Sequence, residues 1–147
     1  MKIKFAFARG GELYGELYSD KAPETVKSIK AILPLQTTVK HTRWCGREIY
    51  SGINTASLPQ RENKSCVVSK FDITYWRDWD SKEALPGIPD VETISIFYGP
   101  ENLVCNQGQI SVNVIGRINY ELEEQIDKIG ERIWLEGAED VIISATE

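Results

Sequence analysis

The element Trp44-Cys45-Gly46-Arg47-Glu48-Ile49-Tyr50 sets one carboxylate among aromatic and apolar neighbours. If the Glu48 side chain faces inward it must find a partner or shift its pKa upward, because burying an unpaired charge is costly. Arg43 and Arg47 are close in sequence. A Glu-Arg pair would serve either as a structural tie or as an anchor for a ligand carboxylate. Cys45 would be a nucleophile only with a base nearby, and the one histidine of the chain, His41, lies just upstream. Trp44, Tyr50, Tyr75, Trp76 and Phe97 are spread over several β-rich segments. In a closed barrel, alternate residues of neighbouring strands share a face, so some of these rings can line one pocket, with Arg43, Arg47, Glu48 and Asn113 as polar anchors. The alternative is that the rings are core, and for Trp76 a strand-end core role fits as well as a ligand contact. The acids Asp78, Asp80, Glu83 and Asp90 lack the regular ligand spacing of a calcium loop and read as solvated surface.

The elements that must position these groups are mostly strands. Ile3, Phe5 and Phe7 alternate with Lys2, Lys4 and Ala6, and Gly10-Gly11 turns the chain into a second strand over Glu12 to Tyr18. Asp20 as N-cap, Pro23 in the first turn and Glu24 near the positive end of the dipole predict a helix over about Ala22 to Leu33, stopped by Pro34. Thr37–Trp44, Glu48–Ile53, Ser65–Val68 and Asp72–Trp76 read as short strands rich in β-branched and aromatic residues. The stretch Arg77 to Asp90, with Pro86, Gly87 and Pro89, reads as a long loop that would fold over the barrel rim as a partial lid. Val91–Tyr98, Ser111–Ile118 and Val141–Ser144 complete the strands. Leu122, Ile126, Ile129 and Ile133 recur at helical spacing over Tyr120 to Leu135, and Gly137 is the stop. This order predicts a mainly β fold, a closed eight-stranded barrel capped by two helices, forming a single domain over residues 1–147.

Gly15-Glu16-Leu17-Tyr18-Ser19-Asp20-Lys21-Ala22-Pro23-Glu24-Thr25-Val26 resembles the opening of cyclophilins, where a strand runs into an A-P-x-T-V helix start. Val112-Asn113-Val114-Ile115-Gly116-Arg117-Ile118 is similar to the cyclophilin strand that precedes the second helix. The centre of the chain is closer to a bacterial and archaeal group of stand-alone cyclophilin-like proteins of unknown function, through Trp44 to Tyr50, Asp72-Ile73-Thr74-Tyr75-Trp76 and Ile96-Phe97-Tyr98-Gly99-Pro100. The resemblance implies a cyclophilin-like barrel. It also implies where a prolyl isomerase site would lie: Arg47 falls near the catalytic arginine when Gly52 is matched to the glycine that follows it. Ile53 and Ala56 then stand at the floor phenylalanine and the glutamine, and Val112 at the rim histidine. With those groups replaced, negligible lowering of the prolyl rotation barrier of about 20 kcal/mol is expected.

With 17 basic and 22 acidic residues and a formal charge of −5, the chain carries no footprint for nucleic acid. Cys45, Cys66 and Cys105 lie far apart with no C-x-x-C, so neither a disulfide framework nor a zinc site is expected, and no cofactor is implied. No stretch reaches the length of a membrane span and none reads as a signal peptide, so a cytoplasmic protein without membrane partners is expected. Homodimerisation is compatible with the aromatic surplus. The residues favour binding of a small carboxylate- or amide-containing metabolite. The alternatives are a hydrolase or hydrolase subunit acting on amide or lactam bonds, with a polar cluster near Glu48, Cys45 or His41, and a weak isomerase or peptide binder.

Overall fold

Strict alternation of buried and exposed residues makes β1 (Lys2–Phe7) and β2 (Glu12–Leu17) a hairpin whose inner face is Ile3, Phe5, Phe7, Leu13 and Leu17. In the computed structural model, which describes residues 1–79, 91–105 and 108–147, six more long strands follow. They are β3 (Leu35–His41), β4 (Glu48–Gly52), β5 (Asp72–Arg77), β6 (Glu92–Phe97), β7 (Val112–Ile118) and β8 (Glu139–Thr146). All pairings among them are antiparallel, in the order β2-β1-β8-β3-β4-β6-β5-β7, and β7 pairs back onto β2 to close the barrel. A bulge at Ile115 lets β7 turn from β5 toward β2, and the Ile115 carbonyl accepts the Tyr18 N–H at 2.7 Å. Closure leaves the eight long strands without a free edge.

The interior is solid and mostly apolar. Val39, Ile49, Ile73, Ile94, Ile96, Ile115, Ile118, Val141 and Ile143 fill it together with the inner faces of β1 and β2. A void lined by Phe5, Phe7, Val39, Ile49 and their neighbours measures only about 10 Å³. Helix α1 (Pro23–Ile32) adds Val26 and Ile29 to this core, and α2 (Glu123–Glu136) adds Ile126, Ile129 and Ile133. A 3-10 turn, Tyr120–Leu122, precedes α2, and Gly137 ends it at φ 89, a left-handed value suited to glycine.

Two expectations are corrected here. Asp20 does not cap α1. The Glu62 carboxylate, from the segment after β4, accepts the backbone N–H groups of Glu24 (3.1 Å) and Thr25 (2.8 Å) and the Thr25 hydroxyl. A full negative charge at the positive helix end does the capping work from a distance in sequence. Ser65–Val68 is no barrel strand. It splits into Lys64–Ser65, which pairs with the start of β7, and Val67–Val68, which pairs with Glu101–Asn102. These segments cover the outside of the barrel, where Val68, Phe97, Leu103 and Val112 form a second small core with Trp76, Ile110 and Val114 packed on it. That cover is why all six residues of β6 are buried. Of the long loop, residues 80–90 lie outside the described residues, and the lid reading falls on them.

Candidate functional site

At the barrel end plugged by α2, an open cleft of about 610 Å³ lies between that helix, the turn after β3 and the turn after β6. The first turn is fixed by Thr42, whose N–H (3.0 Å) and hydroxyl (2.9 Å) both bond the Glu48 carbonyl. Gly46 sits at φ 80, and the Glu101 carboxylate occupies the space a Cβ would need there. Glu101 also accepts the Arg47 N–H at 3.1 Å. The Tyr98 N–H bonds the Arg47 carbonyl at 2.9 Å, which ties the two turns together.

His41 is the last residue of β3 and follows Val39 onto the inner face, which leaves it 8% exposed. Its Nε2 lies 2.5 Å from the Tyr98 hydroxyl oxygen, and its ring meets the Trp134 indole edge-on at 4.7 Å. Burial, with the Arg43 charge second, lowers its pKa to about 4, so it is neutral at neutral pH. The Tyr98 ring packs on Gly130 in the middle of α2, where an added Cβ would stand 2.6 Å from ring carbons. A glycine inside a helix costs roughly 0.5–1 kcal/mol relative to alanine, and here it makes room for that ring. Arg43 stacks its guanidinium 4.5 Å over the Trp134 ring and donates to the Trp134 carbonyl. Arg47 runs along Gly99, where an added Cβ would stand 2.5 Å from the arginine Cδ. Among the described residues its guanidinium forms no ion pair, whereas Lys70 on the same rim is held by Asp127 (2.9 Å) and Glu123 (3.1 Å). The cleft therefore combines an available guanidinium, a neutral imidazole-phenol pair and an aromatic wall.

The nine residues expected from the sequence do not border one opening. Arg43 and Arg47 line the cleft. Trp44, 67% exposed, and Tyr50 meet edge-on at 6.3 Å on the outer side of β4, with the Lys40 ammonium 6.0 Å from the Tyr50 ring. Glu48 is buried, and its carboxyl lies beside the hydroxyls of Ser95 and Thr42, not an arginine; burial raises its pKa to about 7. The pleat explains the missing Glu-Arg pair, because Glu48 stands opposite Phe97 on the face turned away from Ile49, while Arg47 turns toward Gly99. Phe97 is fully buried in the outer core and Trp76 packs at its edge. Tyr75 and Asn113 lie inside the barrel, toward α1. Tyr75 donates to the buried Glu92 at 2.7 Å, and Asn113 donates to Thr25 Oγ1 and the Gln60 carbonyl while accepting the Glu62 N–H. Of the residues matched to the isomerase site, Val112 is buried in the outer core and Ala56 is exposed at φ 59. Cys45 points its thiol at the Val104 carbonyl, 3.8 Å away. Tyr98, Gly130 and Trp134 were not singled out from sequence. The available signal was a glycine one turn before a tryptophan in an otherwise regular amphipathic helix.

A family model for proteins of unknown function, DUF3830, matches residues 7–145. The chain belongs to the DUF3830 family. None of the curated proteins matches it. The fold of this DUF3830 protein is cyclophilin-like. It is similar to McbB, solved in complex with tryptophan, at a TM-score of 0.77 and 14% identity, over 98% of this chain and 44% of that one. The DUF3830 chain thus spans less than half the length of McbB. It is similar over nearly its full length to the hypothetical protein AF2241 from Archaeoglobus fulgidus, with 26% identity, a TM-score of 0.62 and coverage of 99% and 95%. A cyclophilin-type peptidyl-prolyl isomerase from Cryptosporidium parvum, solved in the presence of the dipeptide Ala-Pro, matches at 12% identity and a TM-score of 0.55, over 100% of this chain and 99% of that one. Among the described residues, no helix is long and apolar enough to cross a membrane.

Proposed function

We propose that this DUF3830 protein binds a small, carboxylate-bearing molecule in the cleft between α2 and the two turns. The observation that carries the reading is the Arg47 guanidinium, which is without an ion-pair partner among the described residues and lines the same cleft as the ring wall of His41, Tyr98 and Trp134. Guanidinium pairs with a carboxylate through two parallel hydrogen bonds, and a ring wall beside it favours a ligand with a planar or apolar body. Arg43 is committed to Trp134, so it shapes the wall, and Arg47 is the anchor. McbB holds tryptophan, and a molecule of that chemical kind, a carboxylate on a flat ring system, is the class this cleft would accept.

A thermal-shift screen of aromatic and aliphatic carboxylates against their amides and alcohols tests this. At least one carboxylate is expected to raise the melting temperature, and Arg47→Ala to weaken its binding about tenfold or more, as loss of a charge-assisted contact of about 1.5–3 kcal/mol requires. Stabilisation by neutral analogues only, or equal binding by Arg47→Ala, would contradict it.

A further inference from the structure

The His41–Tyr98 contact has one hydrogen between two heavy atoms and two ways to place it. In the first, the Tyr98 hydroxyl donates to Nε2, and the hydrogen of the neutral imidazole sits on Nδ1. In the second, Nε2–H donates to the Tyr98 oxygen, and Nδ1 is a bare acceptor. Nδ1 is buried and has no hydrogen-bond partner among the described residues. Buried N–H groups without an acceptor are rarer in folded proteins than under-satisfied acceptors, so the second arrangement is the favoured one. The Tyr98 oxygen then accepts from His41, and its own hydrogen must be donated elsewhere. The ring is clamped against Gly130 on one side and meets the imidazole at an interplanar angle of 80°. The open side is the cleft, where Arg47 also lies.

Resting on the carboxylate reading above, we propose that the Tyr98 hydroxyl is the neutral donor that the cleft presents to a ligand oxygen, with His41 and Gly130 as its positioning residues. Arg47 and this O–H would give a ligand carboxylate one charged and one neutral contact, and the acids Asp127 and Glu131 on the same rim oppose a ligand of higher negative charge. His41 supports this role by remaining neutral, so that it supplies a single hydrogen to the tyrosine.

Two measurements on the full chain decide the matter. Long-range 1H–15N spectra of the ligand-free protein read the His41 tautomer, and the Nε2–H form is expected; the Nδ1–H form overturns the proposal, because it commits the Tyr98 hydrogen to His41. Titration with benzoate, followed by amide shifts, compares wild type, Arg47→Ala and Tyr98→Phe. The phenylalanine keeps the ring and removes only the donor, so benzoate binding should weaken about tenfold or more. Loss of binding in Arg47→Ala with unchanged binding in Tyr98→Phe overturns the tyrosine assignment alone. Absence of benzoate binding to wild type defeats the carboxylate reading and this proposal with it. If Tyr98→Phe does not fold, the tautomer of the wild-type protein still decides.

Discussion

Replacing Glu48 with glutamine is expected to make the protein more stable than wild type by about 3 kcal/mol at pH 8, with no such gain below pH 4.5. The Glu48 carboxyl is 9% exposed, and its pKa moves from the ordinary 4.5 to about 7, chiefly by desolvation; Ser95 and Thr42 pull it down, and the Glu101 charge pushes it up. Between those two pH values the folded chain holds a proton that the unfolded chain has released, so stability falls as pH rises, at about 1.4 kcal/mol per pH unit. The contribution is fully present below pH 4.5 and lost as pH rises through about 7. His41 works in the other direction. Its pKa is lowered from 6.5 to about 4, so its contribution grows as pH rises through that interval and masks part of the Glu48 slope. The clean quantity is therefore the difference between the wild-type and Glu48→Gln denaturation curves at matched pH. Parallel stability profiles from pH 4 to pH 8 would show that the carboxyl is hydrated as well in the fold as outside it.

Gly116→Ala is expected to destabilise the barrel by about 3 kcal/mol or more, because it overpacks a seam made of backbone. A Cβ at Gly116 would stand 2.4 Å from the Glu16 carbonyl oxygen, and one at Gly15, across the same seam, 2.3 Å from the Arg117 carbonyl oxygen. No side chain can swing away to relieve either contact, so β2 and β7 must separate where they close the sheet. For a domain of this size the melting temperature should fall by about 6–12 °C, and the freed edges should promote aggregation. A melting temperature within about 2 °C of wild type would mean that the seam spreads at little cost.

The barrel was legible because its signals are local. Alternation in β1 and β2, the Pro23 helix start, the Ile126, Ile129 and Ile133 stripe and the Gly137 stop each depend on residues a few positions apart. What escaped the sequence depends on partners far along the chain. The α1 cap comes from Glu62 and not Asp20, because a carboxylate arriving from another element can reach the same N–H groups. The β6 residues Ser95 and Phe97 face outward, which alternation alone would leave wet, yet an outer cover buries them. That cover also buries Glu48 and turns an expected ligand anchor into a titrating core residue. The cleft draws on turns 41–47 and 98–100 and on α2. Arg43 and Arg47 stood out by their neighbours, whereas Tyr98 and Trp134 read as ordinary strand-end and helix-face aromatics until their approach through Gly130 is seen.

Crystals grown with excess benzoate decide whether Arg47 and Tyr98 hold a carboxylate. One benzoate is expected in the α2 cleft, its carboxylate against the Arg47 guanidinium and within hydrogen-bond distance of the Tyr98 hydroxyl, its ring toward Trp134. Benzoate bound instead in the recess between Arg61, Lys64 and Ser111, or beside Trp44 and Tyr50 with the cleft empty, would contradict it.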